Sequence, residues 1–123
     1  MDKIDKKILI VDDAAFMRKF IRDTLTKEGY ADIIEAADGD EACEIYAKEH
    51  PALVIMDITM PKMSGIEALH QIKKADPSAK VIMCSAMGQE SMVVEAIKLG
   101  ALDFVVKPFK PDRILTAVER SLG

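Results

Sequence analysis

Polar side chains that can do chemistry stand at the ends of four short apolar runs of the chain. They are Asp12 and Asp13 after ILIV, Asp57 after LVIM, Ser85 after VIMC, and Lys107 after FVV. One polar residue after an apolar run is ordinary, because loops are solvated and Asp often begins a turn or a helix. The recurrence at four run ends predicts instead that these five side chains belong to one site.

The residue types in this set indicate phosphoryl chemistry. Two carboxylates ~4 Å apart repel by about 4 kcal/mol at an effective dielectric constant of about 20, so three together must hold a proton or bind a cation. Carboxylate oxygens suit Mg²⁺, while the Lys107 ammonium and the Ser85 hydroxyl suit phosphate oxygens. Asp57 is the predicted nucleophile, since a carboxylate can form an acyl phosphate. The chain has no GxxxxGK[ST] loop, so no nucleotide is predicted.

The apolar runs alternate with stretches of helical spacing. The runs at 8–11, 53–56 and 81–84 are apolar at consecutive positions, which is typical of strands buried on both faces. The weaker run at 33–34 is polar-flanked and predicts an edge strand. Helical stripes lie between the runs, the first of which places Phe16 on one face with Phe20 and Thr24. The pattern predicts five βα units.

Strands that alternate with helices predict an α/β fold, a doubly wound five-stranded parallel sheet with right-handed crossovers. We expect the flavodoxin-like (βα)5 order 2-1-3-4-5, although the strand pattern alone leaves other orders open. In that order the sheet reverses between strands 1 and 3, where ligands of such folds bind. Asp12, Asp13 and Asp57 are then predicted to meet at that point, with Ser85 and Lys107 approaching from the next two strands.

Composition narrows the class of partner and the compartment. The net charge of −4 argues against a nucleic acid or an anionic membrane as the main partner. No run approaches the ~18 apolar residues of a membrane span, and the charged start MDKIDKK lacks a signal core. Cys43 and Cys84 have no CxxC spacing, which favours buried thiols in a reducing compartment. We therefore expect a cytoplasmic protein without nucleic-acid or membrane partners.

Four stretches carry a family resemblance: ILIVDDAAFMR, LVIMDITMPKMSG, VIMCSAMG and FVVKPF. Together they resemble the receiver domains of two-component response regulators, with residues 1–123 as a single receiver domain. The resemblance implies that Asp57 is the phosphoacceptor, charged by a phosphohistidine on a sensor histidine kinase. It also implies that Asp13 and Asp57 are direct Mg²⁺ ligands, that Asp12 acts largely through water, and that Thr59 binds through its backbone carbonyl.

The same resemblance implies a switch. Lys107 is similar to the phosphate-binding lysine of the family, with a cis bond to Pro108. Ser85 stands where many receivers have Thr, and Phe104 where many have Tyr. On phosphorylation we expect Ser85 to be drawn toward the phosphate and Phe104 to move inward, which would reshape the surface around helix 4, strand 5 and helix 5.

The stretches DDAAFMR, MDITMP and CSAMGQ resemble the single-domain chemotaxis regulators in particular. This implies three partners: a chemotaxis-type sensor kinase, the flagellar motor switch protein as the target, and a phosphatase. It also implies that the protein is a monomer. Such a protein is not an enzyme beyond its own self-phosphorylation and self-dephosphorylation. A stand-alone phosphorelay intermediate that passes its phosphate to a histidine phosphotransfer protein stays open. A phosphatase of the haloacid dehalogenase type is disfavoured, because its DxD motif is absent after the first run.

Overall fold

The computed structural model describes residues 3–123, whose five strands form one parallel sheet in the order β2-β1-β3-β4-β5. This confirms the predicted order and fold class. Met1 and Asp2, which the predicted domain includes, lie outside the described residues. The strands are β1 Lys7–Val11, β2 Asp32–Ala36, β3 Leu53–Asp57, β4 Val81–Ser85 and β5 Asp103–Val106. The helices are α1 Ala15–Lys27, α2 Gly39–Glu49, α3 Gly65–Ala75, α4 Glu90–Lys98 and α5 Pro111–Leu122.

The core has two layers, one on each face of the sheet. On one face α2, α3 and α4 pack against Leu9, Val54 and Met56, among others. On the other face α1 and α5 pack against Ile8, Ile10, Ile55 and their neighbours. Successive side chains of a strand point to opposite faces, so a central strand covered on both sides must be apolar throughout. All residues of β3 and β4 are buried, as their consecutive apolar residues predict.

The helix ends follow the local sequence. Gly29 and Gly100 adopt φ of 102° and 107° just after α1 and α4, a conformation that costs a residue with a Cβ about 1 kcal/mol or more. Pro111 opens α5. The Ser64 hydroxyl accepts the N–H of Glu67 at 3.2 Å and so caps α3, the helix that follows the Asp57 strand.

The first turn of α1 and one face of α4 leave apolar side chains exposed. Phe16 is 75% exposed, because the buried face of α1 runs through Ile21, Thr24 and Leu25. In α4 only Ala96 is fully buried. Within residues 3–123, no helix is long and apolar enough to span a lipid bilayer.

Candidate functional site

Three carboxylates meet at the carboxyl edge of the sheet. Val11 is level with Met56 in the β1–β3 pairing, which brings Asp12 and Asp13 beside Asp57 at the point where the strand order reverses. One oxygen from each of the three aspartates lies within 4.8 Å of the other two. Asp12 is 2% and Asp57 7% exposed, whereas Asp13 faces solvent. The structure thus brings together the acidic residues that the sequence places at two separate strand ends.

Lys107 lies across two of these carboxylates. Its Nζ is 2.8 Å from Asp12 Oδ2 and 3.3 Å from Asp57 Oδ1, while its backbone N–H donates to the Ser85 carbonyl at 2.7 Å. Burial opposes its charge, but the hydrogen bond to Asp12 and the carboxylate of Asp57 outweigh burial and raise the pKa of Lys107. The ammonium group therefore stays charged at the centre of the site. The bond to Pro108 is cis, as expected.

Asp57 is the electrostatically unfavourable member of the cluster. Burial, followed by the nearby Asp12 carboxylate, raises the pKa of Asp57 to about 6, and the Lys107 ammonium offsets only part of this. The donor set consists of carboxylate oxygens, which fit a hard divalent cation such as Mg²⁺. A bound cation or a proton would relieve the same repulsion. The Asp57 carboxylate therefore favours the binding of either one.

This repulsion predicts a pH-dependent gain in stability for Asp57→Asn. A carboxyl group whose pKa is higher in the folded than in the unfolded chain binds more protons when folded, so its contribution to stability falls as the pH rises from about 4 to about 6. Each pKa unit corresponds to about 1.4 kcal/mol. Without divalent cations, Asp57→Asn should raise the free energy of unfolding at pH 7.5 by about 1 to 3 kcal/mol.

Urea unfolding in a chelating buffer measures this effect at pH 7.5 and pH 4.5. The gain should shrink at pH 4.5, where Asp57 of the folded wild type is already mostly protonated. Asp112→Asn, on the exposed first turn of α5, is the matched control and should give no gain at either pH. Equal stability of Asp57→Asn and wild type at pH 7.5 would show that the buried carboxylate is not under repulsion.

The two predicted switch residues lie beside the cluster. Asp57 is level with Cys84, so Ser85 ends the neighbouring strand one residue further along and is buried. Phe104, on β5, pairs with Met83 of β4, and its side chain is partly exposed. Both residues line a groove of about 800 Å³ along α4 and β5. Ser85 and Phe104 thus lie on neighbouring strands, β4 and β5. Their switching roles stay predictions.

Thr59, the predicted carbonyl ligand, lies two residues beyond Asp57 on the loop that follows β3. Its side chain is exposed, and its hydroxyl accepts a hydrogen bond from Gln89 Nε2 at 2.6 Å. The hydroxyl is therefore turned toward the loop after β4. Its backbone role at a metal stays a prediction.

The sequence does not predict two contacts around the site. Arg18 Nη1 donates to the Asp12 carbonyl at 2.6 Å and its Nε to Glu35 at 2.9 Å, which ties α1 to the ends of β1 and β2. Gln89 bridges Thr59 and Ala86. Arg18 follows Asp12 by six positions in DDAAFMR, but sequence spacing does not show which way a long side chain turns. For Gln89 no periodicity gives a signal, because both partners lie in loops.

Comparison with known proteins identifies the family of this chain. The family model described as the response regulator receiver domain matches residues 8–119. The chemotaxis protein CheY of Thermotoga maritima is 56% identical over 115 residues, which cover 94% of this chain and 96% of that protein. The CheY of Bacillus subtilis is 57% identical over 117 residues, which cover 95% of this chain and 98% of that protein.

The fold is similar to that of a solved complex, the CheX-CheY-BeF3-Mg²⁺ complex from Borrelia burgdorferi. The TM-score is 0.90 at 41% identity, with 95% of this chain and 89% of that chain covered. Residues 8–119, which the family model matches, contain β2 to β5, all of β1 except Lys7, and the three clustered aspartates. This chain belongs to the response regulator receiver domain family.

Proposed function

We propose that this chain is a phosphorylation-switched response regulator of chemotaxis, in which Asp57 accepts a phosphoryl group from the phosphohistidine of a sensor kinase. The observation that carries the proposal is the position of Asp57, buried beside Asp12 and Asp13 with the Lys107 ammonium 3.3 Å away. High identity to CheY proteins over most of the chain supports the chemotaxis role.

Each residue of the site has a separate proposed role in phosphoryl transfer. A carboxylate oxygen of Asp57 attacks phosphorus, the phosphorus–nitrogen bond breaks, and its electron pair stays on the imidazole. Lys107 is placed to neutralise phosphoryl oxygens, because its Nζ already contacts Asp57. Asp13 and Asp57 are expected to hold Mg²⁺ directly, Asp12 through water and Thr59 through its carbonyl. When bound, the cation supplies charge screening at the transferring group.

The groove along α4 and β5 is the proposed output surface. It is rich in exposed apolar side chains, and exposed apolar patches of this kind mark interaction sites. These side chains are Met87, Val94, Ile97, Phe104 and Val106. Ser85 belongs to both the phosphoacceptor site and the groove lining, so its displacement would alter the groove directly. We propose that the flagellar motor switch protein binds here and favours the phosphorylated state.

A further partner follows from the accessibility of the site. Asp13 is exposed beside Asp57, so the acyl phosphate would be open to water and to a protein that positions a water molecule. A related CheY is found in complex with CheX. We propose that a phosphatase reaches Asp57 of this chain from the same exposed side.

Capture on immobilised motor switch protein tests the output role. Wild type treated with beryllofluoride and Mg²⁺, a stable stand-in for the phosphorylated state, should be retained about tenfold more than untreated protein, which is a difference of about 1.4 kcal/mol. Ile97→Glu should abolish this retention, because it places a charge in the apolar groove. Ile4→Glu is the matched control, since Ile4 is 63% and Ile97 46% exposed and Ile4 lies outside the groove.

The same experiment separates the alternatives. Equal retention with and without beryllofluoride would overturn the motor-switch role. Phosphoryl transfer from the labelled chain to a histidine phosphotransfer protein, with no retention on the motor switch protein, would establish the relay function instead.

A further inference from the structure

The side chain of Gln89 is hydrogen-bonded at both ends to loops that flank Asp57. Its Oε1 accepts the backbone N–H of Ala86 at 2.6 Å, and its Nε2 donates to Thr59 Oγ1 at 2.6 Å. Thr59 follows Asp57 by two residues, and Ala86 directly follows Ser85. A single carboxamide therefore joins the loop after β3 to the loop after β4 next to the predicted phosphoacceptor.

The loop after β4 lies on the surface. Ala86, Met87 and Gly88 are exposed, and a Cβ added to Gly88 would meet no atom within 4 Å apart from its chain neighbours. Gly88 adopts φ of 86°, which turns the chain back so that Gln89 reaches Ala86. Gln89 Nε2 also lies 3.7 Å from Met92 Sδ, a weak contact. The peptide unit between Ser85 and Ala86 is therefore held at two points, by the Lys107 N–H on its carbonyl at 2.7 Å and by this carboxamide on its N–H at 2.6 Å.

The two hydrogen bonds resist a movement of Ser85. Ser85 and Ala86 share a peptide bond, so drawing Ser85 toward a phosphoryl group on Asp57 must also move the Ala86 N–H. Both bonds measure 2.6 Å, so the carboxamide is in close contact with Ala86 and with Thr59. A movement of Ala86 relative to Thr59 therefore has to change the geometry of at least one of these two bonds.

We propose that Gln89 is a positioning residue whose carboxamide clasps Ala86 to Thr59 and stabilises the unphosphorylated position of Ser85. The proposal rests on the proposed phosphoacceptor function and assigns a regulator to that site. The backbone carbonyl of Gln89 also accepts the N–H of Val93 at 3.0 Å at the start of α4, so the residue that makes the clasp belongs to the first turn of the helix that lines the groove. The clasp therefore links the phosphoacceptor to the output surface.

Beryllofluoride binding tests the energetic consequence. Gln89→Met keeps the side-chain length and removes both hydrogen bonds, so it should tighten binding in excess Mg²⁺ about fivefold, the change expected from one net hydrogen bond. Thr59→Val removes only one partner and should tighten binding about twofold. Adding Thr59→Val to Gln89→Met should change nothing further, because the two act through the same contact.

Gln71→Met, on the exposed face of α3, is the matched control and should leave the affinity for beryllofluoride at the wild-type value. Unchanged or weaker binding by Gln89→Met would overturn the clasp. Additive effects of Gln89→Met and Thr59→Val would overturn it as well.

Amide hydrogen exchange followed by NMR tests the clasp without Mg²⁺ or beryllofluoride. In Gln89→Met the Ala86 amide should exchange several-fold faster, because it loses its acceptor. The Val93 amide should keep its rate, since its partner is the Gln89 backbone carbonyl. An unchanged Ala86 rate would contradict the clasp. If wild type failed to bind beryllofluoride, the phosphoacceptor function would fail, and the Ala86 rate would still decide whether the clasp exists.

Discussion

Replacing Asp57 with asparagine is expected to abolish labelling of the protein by acetyl phosphate. A carboxamide oxygen cannot form a stable acyl phosphate, so loss of the nucleophile should lower the labelling rate by more than about a thousandfold. Asparagine has almost the shape of aspartate, and at neutral pH it removes a charge that Asp12 opposes. The folded protein should therefore persist, and the loss is chemical rather than structural.

Intact-protein mass spectrometry measures this result. Wild type with Mg²⁺ should gain one phosphoryl group per chain. The label should then be lost slowly by hydrolysis, which is possible because the exposed Asp13 leaves one side of the site open to water. Asp112→Asn, an exposed carboxyl group on α5, should be labelled at the wild-type rate. Labelling of Asp57→Asn at the wild-type rate would show that another residue is the phosphoacceptor. A phosphoprotein that is stable for days at neutral pH would contradict a site that is open to water.

The sheet and its reactive edge could be predicted because they depend on short-range patterns. Consecutive apolar residues in β3 and β4 require cover on both faces, which leads to a doubly wound sheet. Polar residues at the strand ends then meet because parallel strands share one carboxyl edge. The cluster of Asp12, Asp13 and Asp57 also requires β1 to lie next to β3, which the strand pattern leaves open and the structure shows.

The contacts that adjust the site could not be predicted from pattern. Arg18 and Gln89 reach partners through side-chain rotamers and loop geometry, which carry no periodic signal. The exposure of Phe16 and of one face of α4 depends on where each helix sits on the sheet. An apolar stripe indicates which residues share a face of a helix, but not whether another element covers that face.

The approach of α3 to the Asp57 strand leads to the second large effect, from Gly65→Ala. A Cβ at Gly65 would lie 2.0 Å from the Asp57 carbonyl oxygen and 2.9 Å from the Ile58 Cα. Both are backbone atoms, and the Gly65 N–H donates to the Ile58 carbonyl at 2.7 Å, so neither side can yield without losing this bond. We expect the free energy of unfolding to fall by about 2 to 4 kcal/mol.

The same displacement should reach Asp57, the proposed phosphoacceptor. Because a shift of about 1 Å at a reacting group can cost about a hundredfold in rate, labelling of Gly65→Ala by acetyl phosphate should slow by about that factor. Urea unfolding and the labelling time course measure the two effects.

Gly29→Ala separates this steric clash from backbone strain. Gly29 has φ of 102°, but the nearest atom to its added Cβ is Lys3 Cδ at 3.7 Å, far from the site. It should lose only about 1 kcal/mol of stability and keep the wild-type labelling rate. In an ordinary helix, Gly to Ala stabilises by about 1 kcal/mol, so a gain in stability for Gly65→Ala would mean that α3 does not touch the Asp57 strand. A large loss with slowed labelling instead identifies Gly65 as the residue whose missing side chain lets α3 set the position of Asp57.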